Sequence, residues 1–141
     1  MAKKNIIEVE YDFNFMLWGI VCTMRDYQIC WELNKTLKIN LARQEDIELS
    51  NPQKGKHLLF SLFRYYDEMD KCLYHLMSNK YYKELLLPEV KEADYFLRFT
   101  GEVPENYADT ITKTLKSIPK IMAVIPLEPA GLKSRHNLII E

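Results

Sequence analysis

A chain of 141 residues, 48% apolar, 12% aromatic and 28% charged, has the size and usage of one globular domain with core enough to fold alone. This composition excludes a disordered chain, and only four Gly and six Pro exclude a loop-dominated one. Nineteen Lys+Arg against twenty Asp+Glu, a net charge of -1, leave no overall field to draw nucleic acid or an anionic membrane.

The expected organisation is a single α+β domain over residues 1–141, with an N-terminal arm at 1–10 and a tail at 126–141. Lys3 and Lys4 open the chain, but Glu8 and Glu10 break any apolar region, so no signal peptide is expected. The longest nearly apolar run, Phe15 to Cys22, falls short of the ~18 residues that cross a bilayer. Cys22, Cys30 and Cys72 are odd in number and set among apolar neighbours, which predicts buried thiols in a reducing, cytoplasmic setting.

Phe13 to Cys22 is apolar on both alternating faces after Asn14, the pattern of an interior strand. From Met24 the period changes to three and four: Tyr27, Cys30, Trp31, Leu33 and Leu37 form the apolar stripe of a helix capped by Thr23 or Asp26. Ile39 with Leu41, and Ile47 with Leu49, predict two short edge strands or a ribbon. Asn51 to Lys56 reads as a loop. His57 to Tyr66 and Lys71 to Met77 read as a hairpin turning through Asp67-Glu68-Met69-Asp70. Tyr81 to Leu87 predicts a short helix ended by Pro88. Asp94 to Thr100 is a strand with Tyr95, Leu97 and Phe99 on one face and Phe96 and Arg98 on the other. A second helix opens at Pro104 or Asn106 with the stripe Tyr107, Ile111, Leu115 and Ile118. Ile121 to Ile125 follows as a buried strand, and Leu138 to Ile140 as a last short one. The sum is a two-layer sandwich: a mostly antiparallel sheet of five or more strands with two main helices, closing in a β-α-β unit like that of ferredoxin-like and ACT-type domains.

Leu87-Pro88-Glu89-Val90-Lys91-Glu92-Ala93-Asp94-Tyr95 resembles the signature of the bacterial IPExxxVDY family, with Leu for the leading Ile and Ala for Val. Gly19-Ile20, Asp26-Tyr27 running into Trp31-Glu32-Leu33-Asn34-Lys35, and the ending Leu132-Lys133-Ser134-Arg135-His136-Asn137-Leu138-Ile139 resemble the family's N-terminal strand and helix and its C-terminus. The resemblance covers nearly the whole chain. It implies no activity, because the family has no established one.

Glu89 and Asp94 are the obvious carboxylate pair, of the kind that does acid–base work when one member is buried. As turn and strand-entry residues they are instead expected to bind backbone N–H groups. Tyr95 is expected to pack under a helix with its hydroxyl partnered. Asn34 and Lys35 are expected to terminate the first helix, and Lys133 and Arg135 to lie in a solvated tail able to hold an acidic partner. His57, His75 and His136 have no metal-ligand spacing, no Cys-x-x-Cys occurs, and Cys72 and His75, three apart on a strand, face opposite ways. No phosphate-binding glycine loop is present either. No metal or cofactor is expected, and the pattern points away from an enzyme. It points to a binding or interaction domain that pairs with itself, through its sheet or through the tyrosines at 65, 66, 74, 81 and 82, without membrane or nucleic acid. The alternative is a small-molecule-binding regulator or small enzyme using Glu89, Asp94 and Tyr95.

Overall fold

The computed structural model describes residues 15–51 and 55–138. Strand β1 (Met16–Cys22) is the apolar run foreseen from Phe13, whose first two residues lie outside the described ones. It leads into helix α1 (Asp26–Leu37). Arg25 in extended conformation is the N-cap, and its N–H donates to the Gln28 side chain at 2.8 Å, so neither Thr23 nor Asp26 caps the helix. The buried stripe is Ile29, Cys30 and Leu33, while Tyr27 and Trp31 are 61% and 60% exposed. The three-and-four spacing fits both faces here, and Ile29 decides which one turns inward.

Strand β2 (Ala42–Arg43) is followed by a hairpin of β3 (Ile47–Asn51) and β4 (Lys56–Phe60). The run from His57 to Tyr66 is therefore two strands. It breaks at Ser61, whose N–H donates to Ser78 Oγ at 2.9 Å, and resumes as β5 (Leu62–Asp67) in a different sheet. β5 and β6 (Cys72–Ser78) form the expected hairpin; Asp67 Oδ1 accepts the Met69 and Asp70 N–H groups in the turn. The short helix foreseen at Tyr81 to Leu87 is instead a tight hairpin of β7 (Lys80–Tyr81) and β8 (Glu84–Leu85), turning through Tyr82 at φ 55°. A left-handed residue cannot continue a right-handed helix. A 3-10 turn at Pro88–Val90, β9 (Tyr95–Thr100), α2 (Tyr107–Lys116) and β10 (Ile121–Leu127) complete the body. Leu138 closes a 3-10 turn (Arg135–Leu138), and the rest of the strand foreseen there lies outside the described residues.

Six strands form one sheet in the order β10-β1-β9-β6-β5-β2, every neighbour antiparallel. β9 and β10 flank β1 and so run parallel to each other, with α2 as their crossover; β1 and β6 likewise flank β9, with α1 in the connection between them. The molecule is thus α+β, with a mostly antiparallel six-stranded sheet and two helices. β10 lies at the edge, so only Ile121 and Val124 of its apolar run are buried.

Alternation along the strands gives the sheet two apolar faces. Trp18, Ile20, Leu76, Leu97 and Phe99 meet α1 and α2, and the indole N–H of Trp18 donates to Thr112 Oγ1 on α2 at 2.9 Å. Leu17, Leu62, Met77 and Phe96 form the second face with Leu58 and Phe60 of β4, Leu86, Leu87 and Val90 before β9, and Leu132 and Leu138 of the C-terminal segment. Each large side chain buried in this way contributes about 1.5–3 kcal/mol. At the middle of β1, Gly19 lets Ala93 approach closely: a Cβ at Gly19 would lie 3.2 Å from that of Ala93.

Candidate functional site

The segment that resembles a family signature is organised by a residue outside it, Asn79. Fully buried at the end of β6, it donates through Nδ2 to the carbonyls of Val90 (3.0 Å) and Ala93 (2.8 Å) and accepts the Leu87 N–H on Oδ1 at 2.8 Å. Its own carbonyl accepts the Leu86 N–H (2.8 Å), and its N–H donates to the Asp94 carbonyl (2.9 Å). An asparagine side chain carries both donor and acceptor, as a bend with two inward carbonyls and one inward N–H requires. Leu87, Val90 and Ala93 point into the second core, and the polar residues between them face outward.

Asp94 and Tyr95 fasten this bend to the start of the chain. Asp94 Oδ2 accepts the Cys22 N–H at 3.0 Å, Oδ1 accepts Lys80 Nζ at 2.6 Å, and the Asp94 N–H donates to the Ile20 carbonyl at 2.8 Å. The Tyr95 hydroxyl donates to the Met24 carbonyl at 2.7 Å, and burial pushes its phenol above the ordinary range. Glu89 fastens the other side: its Oε2 accepts the Ser134 N–H at 2.7 Å. Burial alone would raise the Glu89 carboxyl, but hydrogen bonds, chiefly from Ser134, outweigh it and hold the pKa below the usual value. Asn137 adds a bond from Nδ2 to the Leu86 carbonyl at 2.7 Å. Glu89, Asp94 and Tyr95 therefore do not converge on one cavity; each binds backbone of a different segment.

The other sequence candidates are equally dispersed. Asn34 pins the end of α1, accepting the Leu41 N–H at 2.7 Å and donating to the Leu41 carbonyl at 3.2 Å. Lys35 pairs with Glu32 and lies 4.3 Å above the Trp31 ring. Arg135 Nη1 donates to the Leu132 carbonyl at 3.0 Å, and Lys133 is exposed. The three cysteines are free and buried, and burial pushes each thiol up, away from reactivity. Cys72 faces the helices and His75 the opposite side. Among the described residues no group of three or more His, Cys, Asp or Glu could hold a metal ion, and no helix is long and apolar enough to cross a membrane.

No known protein family matches the chain, and no curated protein does so either.

Two openings flank these residues. A polar cleft of about 470 Å³ at the start of α1 is lined by Arg25, Arg43, Lys80 and Tyr95 among others. Arg43 is paired with Asp46 and Lys80 with Asp94, so two of its three cations are already neutralised. An apolar pocket of about 500 Å³ lies between His57 and Leu58 of β4 and the turn Tyr81 to Glu84.

The sequence pattern gives no joint role to two residues that the sheet brings together. His75 and Arg98 are directly opposed on β6 and β9, on the second face of the sheet, and His75 is 3% exposed. Burial, then Arg98, then Arg64 on β5 lower the imidazole from 6.5 to about 4, so it is neutral at physiological pH. Burial also lowers the Arg98 guanidinium. The available signal was a basic residue at the same inward phase in two apolar strands, CLYHLMS and YFLRFT.

Proposed function

We propose that the protein is a non-catalytic binding and interaction domain that pairs with a second copy of itself through its sheet edge. The observation that carries this is β10. It is a seven-residue edge strand beside β1, its outer edge is unpaired among the described residues, and Met122 and Ala123 are exposed on it. An exposed edge is a template for pairing with another chain. Pro126 lacks an N–H and limits such pairing to Ile121–Ile125. The tyrosines at 65, 66, 74, 81 and 82 support pairing less well: Tyr65 and Tyr74 pack on each other, Tyr74 bonds the Tyr107 hydroxyl, Tyr81 packs edge-on against Phe60, and Tyr66 and Tyr82 are the two left exposed.

The same reading assigns the chain to the IPExxxVDY family, on Leu87-Pro88-Glu89 and Ala93-Asp94-Tyr95, and places it in the cytoplasm, which three buried free thiols suit. It likens β9–α2–β10 to the closing unit of ferredoxin-like and ACT-type domains; the order β10-β1-β9-β6 with α2 as crossover supports the likeness. The alternative of a regulator or enzyme acting through Glu89, Asp94 and Tyr95 has less support, because all three are engaged with backbone.

Size-exclusion chromatography with light scattering at tens of micromolar tests the pairing. A dimer mass that falls to the monomer mass in Met122→Lys is expected, and a monomeric wild type refutes it.

A further inference from the structure

On the second face of the sheet, the register sets Arg64 of β5 opposite His75 of β6, and His75 opposite Arg98 of β9. The three side chains form one row across three adjacent strands, about 4.8 Å from one strand to the next. Thr100, two residues beyond Arg98, shares that face. Three buried atoms in this group have no hydrogen-bond partner: His75 Nδ1, Arg98 Nε and Thr100 Oγ1. Neither arginine has a carboxylate partner among the described residues. Arg98 Nη1 donates to the Leu138 carbonyl, and the guanidinium lies 4.4 Å from the Phe15 ring centroid. Those contacts fix its plane and leave the Nε edge unused.

A guanidinium has donors only, and a half-buried one without a counter-charge is an unfavourable arrangement unless something negative meets it. Buried polar atoms are otherwise paired almost without exception in folded proteins. Here a neutral imidazole able to donate from Nδ1 lies between two arginines that have no carboxylate partner among the described residues, with two of the unpaired atoms in this row and the third beside it at Thr100. Arg64 is exposed, so the row opens to solvent at that end.

We propose that Arg64, His75, Arg98 and Thr100 form a binding site for a small oxyanion, a carboxylate or phosphate group carried by a small molecule. Arg98 Nε, the Thr100 hydroxyl and the His75 Nδ1–H donate to its oxygens, and Arg64 closes over it from the solvent side. The site is independent of the β10 edge, and it uses none of the residues that fasten the signature segment.

The test follows the His75 ring signals by NMR while sodium phosphate, and separately sodium acetate, replaces sodium chloride at constant ionic strength. A saturable shift with phosphate or with acetate, absent with chloride alone, is expected, and the salt that acts at lower concentration names the ligand's group. Arg64→Gln, at an exposed position that leaves the core untouched, is expected to weaken that binding about tenfold, the value of one charge-assisted hydrogen bond. No saturable shift with either salt, or an Arg64→Gln protein that binds as tightly as the wild type, overturns the proposal. Because the signal belongs to His75, the result stands whether the protein is monomeric or dimeric.

Discussion

Acid should destabilise this protein well before its carboxylates titrate, and His75 should be the cause. Its imidazole titrates near 6.5 in the unfolded chain and near 4 in the fold, where it is buried between Arg64 and Arg98. The unfolded state therefore binds the proton that the folded state refuses, and stability falls as pH drops. The contribution is whole above pH 6.5, declines as pH falls through that value, and levels off below pH 4. The full drop corresponds to about 3 kcal/mol, of which about 2 kcal/mol is lost by pH 5. With 3% of the residue exposed, solvent screens little of this. Against a typical total of about 5–15 kcal/mol, the loss is large enough to read in urea denaturation at pH 7, 6 and 5. Glu89 acts in the same direction but later: its folded pKa is lowered from 4.5, so its contribution is present above that value and lost below it. His75→Gln removes the titration while keeping a polar side chain. Its stability should fall about 2 kcal/mol less than that of the wild type between pH 7 and pH 5. Parallel pH profiles for the two proteins would refute the reasoning.

Asn79→Ala should cost about 3 kcal/mol in urea denaturation, because it strands the Ala93 carbonyl and the Leu87 N–H, for which the asparagine is the partner, and leaves the Val90 carbonyl with the Ala93 N–H as its remaining donor. Gly19→Ala should cost about 1–3 kcal/mol and lower the thermal midpoint, since the new methyl meets Ala93 at 3.2 Å across a packed core. Asp94→Asn should be milder than Asp94→Ala: the amide oxygen can still accept the Cys22 N–H, and the Lys80 pair it gives up is half in solvent and worth at most about 1 kcal/mol. Equal losses in the two Asp94 variants would place the stabilisation in the ion pair instead.

Most of the fold was legible because local patterns agreed with it. The strands Met16–Cys22 and Tyr95–Thr100, the turn at Asp67 to Asp70 and the second helix all carry their period and their punctuation in consecutive residues. The errors fall where a distant contact decides. Tyr27 and Trp31 fit a helical stripe as well as Ile29 does, and only the sheet beneath α1 selects the side with Ile29. His57 to Tyr66 keeps an unbroken strand pattern, yet Ser78, seventeen positions away, splits it at Ser61. Ile121 to Ile125 reads as interior because it is wholly apolar, but position in a sheet is a property of strand order, which no single strand encodes.

The same distinction explains what was legible of the sites. Glu89, Asp94 and Tyr95 attract attention as a motif because they are close in sequence, and their contacts were foreseeable in kind: carboxylates receiving backbone N–H groups, a phenol finding a carbonyl. Asn79 is a single asparagine at the end of an apolar strand, and nothing in its neighbours announces that five hydrogen bonds will meet there. Arg64, His75 and Arg98 are eleven and twenty-three residues apart along the chain and become neighbours only when β5, β6 and β9 pair in register. A one-residue slip of β6 against either partner would turn His75 to the helix side and dissolve the row. The inward charge on each strand was therefore the readable signal. Its meaning, two arginines without a carboxylate partner among the described residues on either side of a neutral imidazole, exists only at the level of the assembled sheet.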